Sequence, residues 1–387
     1  MRRVAMLDLQ AEYKLFRDEI RGAVDAVLET QQFINGPAVA ELEGLLASRV
    51  GVANAVGVSS GTDALLCSLM GLGIGSGDEV IVPAFTFFAT AGAVVRVGAT
   101  PVFVDIDART FNLDPACVEA AITKRTRAII AVHLFGQCAD MRAIQQIATK
   151  HSLAIVEDAA QALGATYQGR RIGAWGDVAC LSFYPTKNLG GFGEGGMILL
   201  NDTDLADVLR RLRNHGESTR YLHERVGGNF RLDTMKAAIL IVKLKKLDEF
   251  TRRRRYNAAR YDELLDSSSV AVPYVPDQHH PVYHQYSILC DRRDELKACL
   301  ADHGVACSVY YPVPLHLQPC FSYLGYARGS LPVSERTCKR ILSLPCHPML
   351  SDEDLEHVAS CVNAFHGSEA TDATSDTNRT LENAANA

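Results

Sequence analysis

Residues 182–196 read SFYPTKNLGGFGEGG, and an apolar run lies on each side of them, VACL at 178–181 and MILL at 197–200. Both runs are typical of buried strands, and Pro185 together with the glycines predicts a turn between them. Lys187 stands in this turn. A lysine held between two buried strands is poorly solvated, which lowers its pKa and frees its amine to attack a carbonyl group. The segment therefore predicts a reactive lysine, although a surface lysine in a loop is the ordinary alternative.

The composition limits the class of protein. The 387 residues are enough for one large domain and a smaller one, and 48% hydrophobic and 22% charged content is ordinary for a soluble globular protein. Because the net charge is -6 at pH 7, no nucleic-acid partner is expected. The N-terminus does not resemble a secretory signal, and no apolar stretch approaches the ~20 residues that span a bilayer. We therefore expect no membrane partner.

The cysteines indicate the compartment. All 11 are scattered without CxxC spacing. This pattern indicates neither a metal site nor a disulfide framework. Scattered thiols are typical of a reducing environment, so we expect a cytoplasmic protein without a metal.

Apolar runs alternate with helical patterns through the first part of the chain. Continuously apolar strands separated by helices predict a mostly parallel sheet that helices cover on both faces. The strands predicted before the lysine segment are 55–58, 78–83, 101–105, 128–134 and 153–158.

The pattern divides the chain into three parts. We expect a large domain over 1–247, which includes an N-terminal arm, and a smaller C-terminal α+β domain over 248–366. The tail over 367–387 is rich in Ser, Thr, Asn, Asp and Ala, which predicts disorder. Four arginines at 252–255 follow a helical pattern, and a solvated helix face is a simpler interpretation of them than a phosphate-binding patch.

Two polar clusters follow predicted strands. The sequence SSGTD at 59–63 opens a helix, and a helix N-terminus suits a phosphate group. Gly61 lets the backbone approach a ligand closely, although Ser, Thr and Asp cap most helices in any case. Asp158 lies at the carboxyl end of a predicted buried strand, where ligands bind in such sheets. The alternative for Asp158 is a helix cap for Ala159 and Ala160, which follow it.

These segments resemble, in this order, the DegT/DnrJ/EryC1/StrS family of pyridoxal phosphate (PLP)-dependent sugar aminotransferases. The resemblance extends from about Leu7 to about Pro348, and it includes PAFTFFAT at 83–90, VEDAAQ at 156–161 and GGNFRLD at 227–233. It implies an α/β protein with the PLP-dependent transferase fold type I of aspartate aminotransferase. It also implies a homodimer with shared active sites.

The resemblance implies a role for each cofactor residue. Lys187 would carry the cofactor covalently, Asp158 would pair with the ring nitrogen, and Gln161 would reach the ring hydroxyl. An acidic partner is needed because the protonated ring is the better electron sink. The residues implied at the phosphate are Gly61, Thr62, Asp63 and Ser182.

Two further positions follow from the same resemblance. Phe87 aligns with the aromatic residue that stacks on the cofactor ring, with Phe85 and Phe88 as alternatives. Asn229 aligns with the asparagine that reaches the phosphate of the neighbouring subunit. The family usually has glutamine where this chain has Lys236, a departure that leaves Asn229 in place.

The sequence YYPVPLH at 310–316 resembles the family loop that borders the sugar site. Tyr310 replaces the first histidine of that loop, and Tyr311 and His316 keep the pattern. Tyr184, three residues before Lys187, is another candidate contact for the sugar.

The implied reaction is transamination, with L-glutamate as the expected amino donor and a nucleotide-linked keto-sugar as the acceptor. The amine of Lys187 would move a proton between the α carbon of the donor and C4′ of the cofactor. Relatives that dehydrate sugars have histidine at this position, so Lys187 argues against a dehydratase. Two alternatives stay open: amination of a cyclitol ketone, and a non-catalytic PLP-binding regulatory protein.

Overall fold

The structure, a computed structural model, describes residues 2–365. The tail expected at 367–387 lies outside the described residues. The strands of the central sheet are β1 Asn54–Val58, β2 Glu79–Pro83, β3 Thr100–Val104, β4 Thr126–Val132, β5 Ala154–Asp158, β6 Val178–Ser182 and β7 Gly196–Leu200.

The order of these strands across the sheet is β1-β7-β6-β5-β4-β2-β3. Neighbouring strands are parallel except at β7, which is antiparallel to both β1 and β6. The β6–β7 register pairs Ser182 with Gly196, so residues 183–195 form a loop that leaves and re-enters the sheet at the same edge. The prediction of a mostly parallel sheet in an α/β fold is confirmed.

The two faces of the sheet carry separate apolar clusters, because successive strand residues point to opposite sides. Ile129 and Ile155 belong to one cluster, and Ile130 and Val156 belong to the other. All four side chains are 5% exposed or less. Burial on both faces explains why the strands are continuous apolar runs in the sequence.

Helices cover both clusters. The helices before the small sheet are α1 Leu9–Thr30, α2 Pro37–Val50, α3 Gly61–Gly71, α4 Phe88–Arg96, α5 Pro115–Ala120, α6 Met141–His151, α7 Thr203–Leu212, α8 Thr234–Leu244 and α9 Leu247–Leu264. Apolar residues of α2, α6 and α8 pack on one face of the sheet, and those of α3, α4 and α7 pack on the other.

Most of these helices begin at a side chain that accepts a hydrogen bond from the first turn, which satisfies backbone N–H groups that lack a partner there. The capping residues are Asp8, Ser60, Asp114, Asp140, Asp202 and Asp233.

The last third of the chain builds a smaller layer. Strands β8 Tyr286–Leu289 and β9 Ile341–Leu344 form an antiparallel pair, accompanied by α10 Arg293–Asp302, α11 Pro332–Arg340 and a helix over 352–365. The two strands, α10 and the helix over 352–365 share a third apolar cluster, which also contains Val4 from the N-terminal segment, whereas α11 contributes Cys338 to a different cluster. The backbone of Val4 pairs with Val305, so the start of the chain is attached to this smaller layer.

Candidate active site

Lys187 lies in the loop after β6, at the carboxyl edge of the sheet. Its backbone N–H donates to the carbonyl of Tyr184 at 2.8 Å, which closes the turn that Pro185 begins. Its side chain is only partly exposed. Burial lowers the pKa of Lys187 to about 8, although the negative charge of Asp158 acts in the opposite direction. A lysine with this pKa is partly uncharged near neutral pH and can act as a nucleophile or a base.

Asp158 is the last residue of β5 at the same edge of the sheet, and it is 6% exposed. The hydroxyl of Thr90 donates to Asp158 Oδ2 at 2.8 Å, and the backbone N–H of Ala160 donates to Oδ1 at 3.3 Å. Thr90 is fully buried in the first turn of α4, and its hydroxyl lies 3.2 Å from that of Thr86. The residues that follow Asp158 form a turn and not a helix, so the helix cap considered for it is absent, and a donor from the distant α4 also holds the carboxylate.

The N-terminus of α3 lies next to the end of β6. Asp63 accepts hydrogen bonds from the hydroxyls of Ser59 at 2.7 Å and Ser60 at 2.9 Å, so its carboxylate orders the turn that opens the helix. At Gly61 an added Cβ would lie 2.7 Å from Cβ of Ser182. Four of the residues expected at a phosphate are therefore close together: Gly61, Thr62, Asp63 and Ser182.

Gln161 joins two loops at this edge. Its Oε1 accepts from the N–H of Phe135 at 2.6 Å, and its Nε2 donates to the hydroxyl of Tyr311 at 3.4 Å. Burial, followed by the charge of Asp158, raises the pKa of Tyr311 above its usual value. Tyr311 thus stays neutral and lies near both residues expected to hold the cofactor ring.

Three neighbouring phenylalanines point in different directions. Phe85 is buried, Phe88 stacks on Phe321 at 5.6 Å between ring centroids, and Phe87 is 56% exposed at the start of α4. The Phe87 ring lies 6.1 Å from that of Tyr311. Phe88 is 47% exposed, but Phe321 covers one face of its ring, so Phe87 has the freer surface and the position that stacking on a ligand needs.

The residues expected at the sugar separate into two groups. Tyr184 is 47% exposed beside the lysine turn, and the ring of Tyr310 lies 5.9 Å from that of Tyr311. His316 instead is 1% exposed, with Nε2 at 3.1 Å from Glu335 and its ring beside Tyr326. The structure therefore brings Tyr184, Tyr310 and Tyr311 toward the edge of the sheet and packs His316 in the interior.

Asn229 is exposed on a segment that runs beside the opening of α3. The carbonyl of Phe230 accepts from the N–H of Ser59 at 2.8 Å, and Arg231 pairs with Val58. Lys236, the departure from the family pattern, lies at the start of α8 with its Nζ 2.9 Å from Asp233. Asn229 thus sits next to its own chain's phosphate turn with its side chain open to solvent.

Sequence reasoning missed several buried polar residues near this edge. Thr90 is one of them. Arg254 is another: the sequence predicted a solvated helix face at 252–255, and this prediction is wrong for Arg254. Arg254 is 5% exposed and donates to the carbonyls of Tyr283 at 3.2 Å and Cys346 at 2.9 Å. Of the four arginines, only Arg252 is exposed.

Sequence reasoning also missed His133 and Glu157, which are both completely buried. Nε2 of His133 lies 2.9 Å from Oε2 of Glu157. Burial raises the pKa of Glu157, but the bond from His133 and the N–H groups of Gly176 and Gly173 outweigh it and hold this pKa below its usual value. The pair fixes the end of β5 immediately before Asp158. No sequence signal distinguishes it from other buried polar residues.

This arrangement defines the class of protein, a transferase of fold type I. Its elements are the mostly parallel sheet, the loop of Lys187 and the carboxylate of Asp158 at the carboxyl edge of that sheet. The sequence model of the DegT/DnrJ/EryC1/StrS aminotransferase family matches residues 15–363, and the chain belongs to that family. The resemblance read from the motifs is therefore confirmed.

Three similar proteins illustrate the match. A "pleiotropic regulatory protein" of Geobacillus stearothermophilus is 49% identical over 94% of this chain and 98% of its own length. A UDP-N-acetyl-3-dehydro-α-D-glucosamine 3-aminotransferase of Acidithiobacillus ferrooxidans is 45% identical over 94% of this chain and 98% of its own. The crystal structure of Streptomyces venezuelae DesV in complex with a ketimine intermediate is 44% identical, with a TM-score of 0.92 over 94% of this chain and 99% of its own.

Within residues 2–365, no group of three or more His, Cys, Asp or Glu side chains is arranged to hold a metal ion. In the same part of the chain, no helix has the length and apolar character needed to cross a membrane.

Proposed function

We propose that this aminotransferase binds PLP and transfers an amino group from an amino acid, L-glutamate, to a nucleotide-linked keto-sugar. The observation that carries the proposal is the partly buried amine of Lys187, with a pKa lowered to about 8, in the field of the buried Asp158. Support for the acceptor comes from the Acidithiobacillus relative, whose name states a UDP-linked 3-dehydro sugar.

The residues at the edge fit PLP in size and chemistry. The turn at 59–63 offers hydroxyls and a helix N-terminus to a phosphate, and Gly61 leaves no room for a side chain beside Ser182. Asp158 offers a carboxylate to a protonated ring nitrogen, and Phe87 offers an exposed aromatic face. Gln161 has an amide beside Tyr311 for a ring hydroxyl.

Bound PLP would supply the electron sink that accepts the electron pair when the Cα–H bond of the amino donor breaks. Lys187 would take that proton as a base and return it as an acid, because its lowered pKa lets the amine alternate between its two forms near neutral pH. Asp158 would keep the ring nitrogen protonated, and the hydroxyl of Thr90 would hold the carboxylate in place. Tyr184, Tyr310, Tyr311 and His316 would border the sugar.

We also propose a homodimer in which Asn229 contributes to the partner's phosphate site. The side chain of Asn229 is exposed, and the adjoining segment exposes apolar surface: Tyr221 is 78%, Leu222 57% and Val226 90% exposed. Exposed apolar side chains grouped on one segment fit a surface that another protein covers. We further propose that the chain divides into a large domain at 1–247 and a smaller one at 248–366. We also propose that the protein is located in the cytoplasm, where nucleotide-linked sugars are substrates.

The test is the first half-reaction. The purified protein is loaded with PLP, reduced with borohydride and mapped by mass spectrometry, and we expect the pyridoxyl group on Lys187. L-Glutamate added to unreduced protein should then give 2-oxoglutarate in an amount equal to the bound cofactor, and a keto-sugar nucleotide should restore the starting absorbance. Label on a different lysine would contradict the assignment.

One observation favours a second candidate, a PLP-binding regulatory protein, because the Geobacillus relative carries a regulatory name. The two candidates differ in the fate of the donor. A non-catalytic regulator would bind PLP and leave L-glutamate unchanged, whereas an aminotransferase converts it to 2-oxoglutarate. An aminotransferase for a cyclitol ketone would pass this first test and differ in the second half-reaction.

A further inference from the structure

The loop that carries Lys187 is attached to the chain near the start of β8. Asn188 follows the lysine, and its side-chain Nδ2 donates to the carbonyl of Val282 at 3.3 Å. This bond orients the amide, because a carbonyl oxygen can only accept. The other end of the amide, Oδ1, then faces Nδ1 of His284 at 3.0 Å.

This geometry determines the protonation of His284. Since the amide oxygen of Asn188 accepts, Nδ1 of His284 carries the hydrogen and donates it. His284 is 6% exposed, and burial, followed by the positive charges of Lys187 and Arg254, holds its pKa well below the usual value. The ring is therefore neutral with its hydrogen on Nδ1. We call the Asn188–His284 pair the lysine latch.

The latch is fixed on the side away from the lysine. The N–H of Val282 donates to the carbonyl of Gly136 at 3.0 Å, and Arg254 donates to the carbonyl of Tyr283 at 3.2 Å. An added Cβ on Gly136 would lie 2.9 Å from the backbone nitrogen of His284, so the two segments are in direct contact. The histidine thus has little freedom to move, and its bond to Asn188 restrains the lysine loop.

We propose that His284 is a positioning residue for Lys187: its neutral Nδ1–H anchors Asn188, and this anchor keeps the amine in its buried place at the carboxyl edge. The inference rests on the proposed function, because it concerns the residue that would carry PLP. Without the anchor the loop loosens and the amine becomes hydrated. A neutral group also adds no positive charge beside Lys187, which already lies near Arg254.

The test measures Lys187 in the protein without cofactor. Trace acetylation across a series of pH values, followed by mass spectrometry of the peptide with residue 187, gives the pH midpoint at which the amine becomes reactive. The wild-type midpoint should lie at a pH of about 8. In His284→Leu it should move toward the ordinary lysine value, so that reactivity at the wild-type midpoint falls about fivefold when the midpoint rises by one pH unit and about tenfold for each further unit.

Two variants separate anchoring from packing. His284→Asn keeps a side-chain N–H close to the position of Nδ1 and should restore the wild-type midpoint, whereas leucine keeps only the apolar bulk. His280→Leu, which changes an exposed histidine on the same approach to β8, should leave the midpoint unchanged.

A midpoint that stays at the wild-type value in folded His284→Leu would overturn the latch. If His284→Leu does not fold, Asn188→Ala removes the same bond from the lysine side and must show the same rise, and an unchanged midpoint there overturns the proposal as well. Borohydride labelling of wild-type Lys187 with PLP judges the proposed function separately. Label on Lys187 with no shift in the variants refutes the latch alone.

Discussion

A methyl group added at Gly61 tests the contact between the phosphate turn and the lysine strand. The added Cβ would lie 2.7 Å from Cβ of Ser182 and 3.1 Å from its Oγ. Carbon atoms in contact are normally about 3.5–4.0 Å apart, so Ser182 or the first turn of α3 must move by about 1 Å. Inserting a methyl group into a packed site typically costs about 1–3 kcal/mol.

The displaced groups are those expected to bind a phosphate, so the effect should appear in cofactor binding. We expect Gly61→Ala to lower the free energy of unfolding of the apoprotein by about 1–3 kcal/mol. We expect PLP affinity to fall by about 10- to 100-fold, since a 1.4 kcal/mol loss is tenfold. Urea denaturation measures the first quantity, and absorbance titration with PLP measures the second.

The matched control is Gly44→Ala in the middle of α2, where an added Cβ meets nothing within 4 Å. It should raise stability by up to about 1 kcal/mol, because alanine favours the helix. The double variant Gly61→Ala/Ser182→Gly removes the clashing Cβ and should recover part of the loss, a non-additivity expected of residues in contact. If Gly61→Ala resembles Gly44→Ala in stability and binds PLP like wild type, the close approach is not as described.

Four other predictions follow from the site. Lys187→Ala should still bind PLP but produce no 2-oxoglutarate from L-glutamate; measurable turnover would exclude Lys187 as the base. Asp158→Asn should fold normally and lose transamination by several orders of magnitude, and near-normal single-turnover rates would assign the ring nitrogen to another acid. The pKa of Lys187 is about 8 in the folded protein and ordinarily 10.5, so the unfolded state binds more protons between these two pH values. The stability of wild type relative to Lys187→Met, measured by urea melts, should therefore rise with pH across that window. A stability difference that does not change with pH would contradict the burial of the amine. Mixed Lys187→Ala and Asn229→Ala subunits should recover activity after subunit exchange, and activity that stays at the parental average despite exchange would refute a shared site.

The fold was largely predictable because its strands are buried on both faces. Residues 128–132 and 153–156, for example, are apolar at every position, and this pattern can be recognised without knowing which strands lie beside each one. The direction of β7 was not evident, since an apolar run has the same composition in a parallel and an antiparallel strand.

The candidate site was predictable where its residues stand in a local motif. Asp158 ends a strand, the turn at 59–63 follows one directly, and Lys187 stands in the loop after another. Thr90 and His284 could not be found in this way, because each acts on a residue far away in the chain, and a lone threonine or histidine carries no local signal.

Burial explains the remaining differences. Arg254 belongs to a run of four arginines that looks solvated, yet its guanidinium bonds to backbone carbonyls that become available only when the smaller layer packs on α9. His316 fits the family loop by sequence, but its ring is enclosed with Glu335. Its expected contact with the sugar stays a prediction.

The reversed strand β7 has a consequence for the order in which the protein folds during synthesis. In the sheet, β1 lies at an edge beside β7, which leaves the ribosome much later, and the single bridge from Val58 to Arg231 forms later still. Gly196 at the start of β7 also abuts Ser60 so closely that an added Cβ would lie 2.4 Å from its carbonyl oxygen. Until β7 emerges, the opening of α3 lacks its neighbour and β1 is an unpaired edge, which is the exposed state in which nascent chains associate with one another. Nascent chains that end before residue 196 should therefore depend on chaperones and bind no cofactor. Once β7 has been added, chaperone dependence should fall abruptly and cofactor binding should begin.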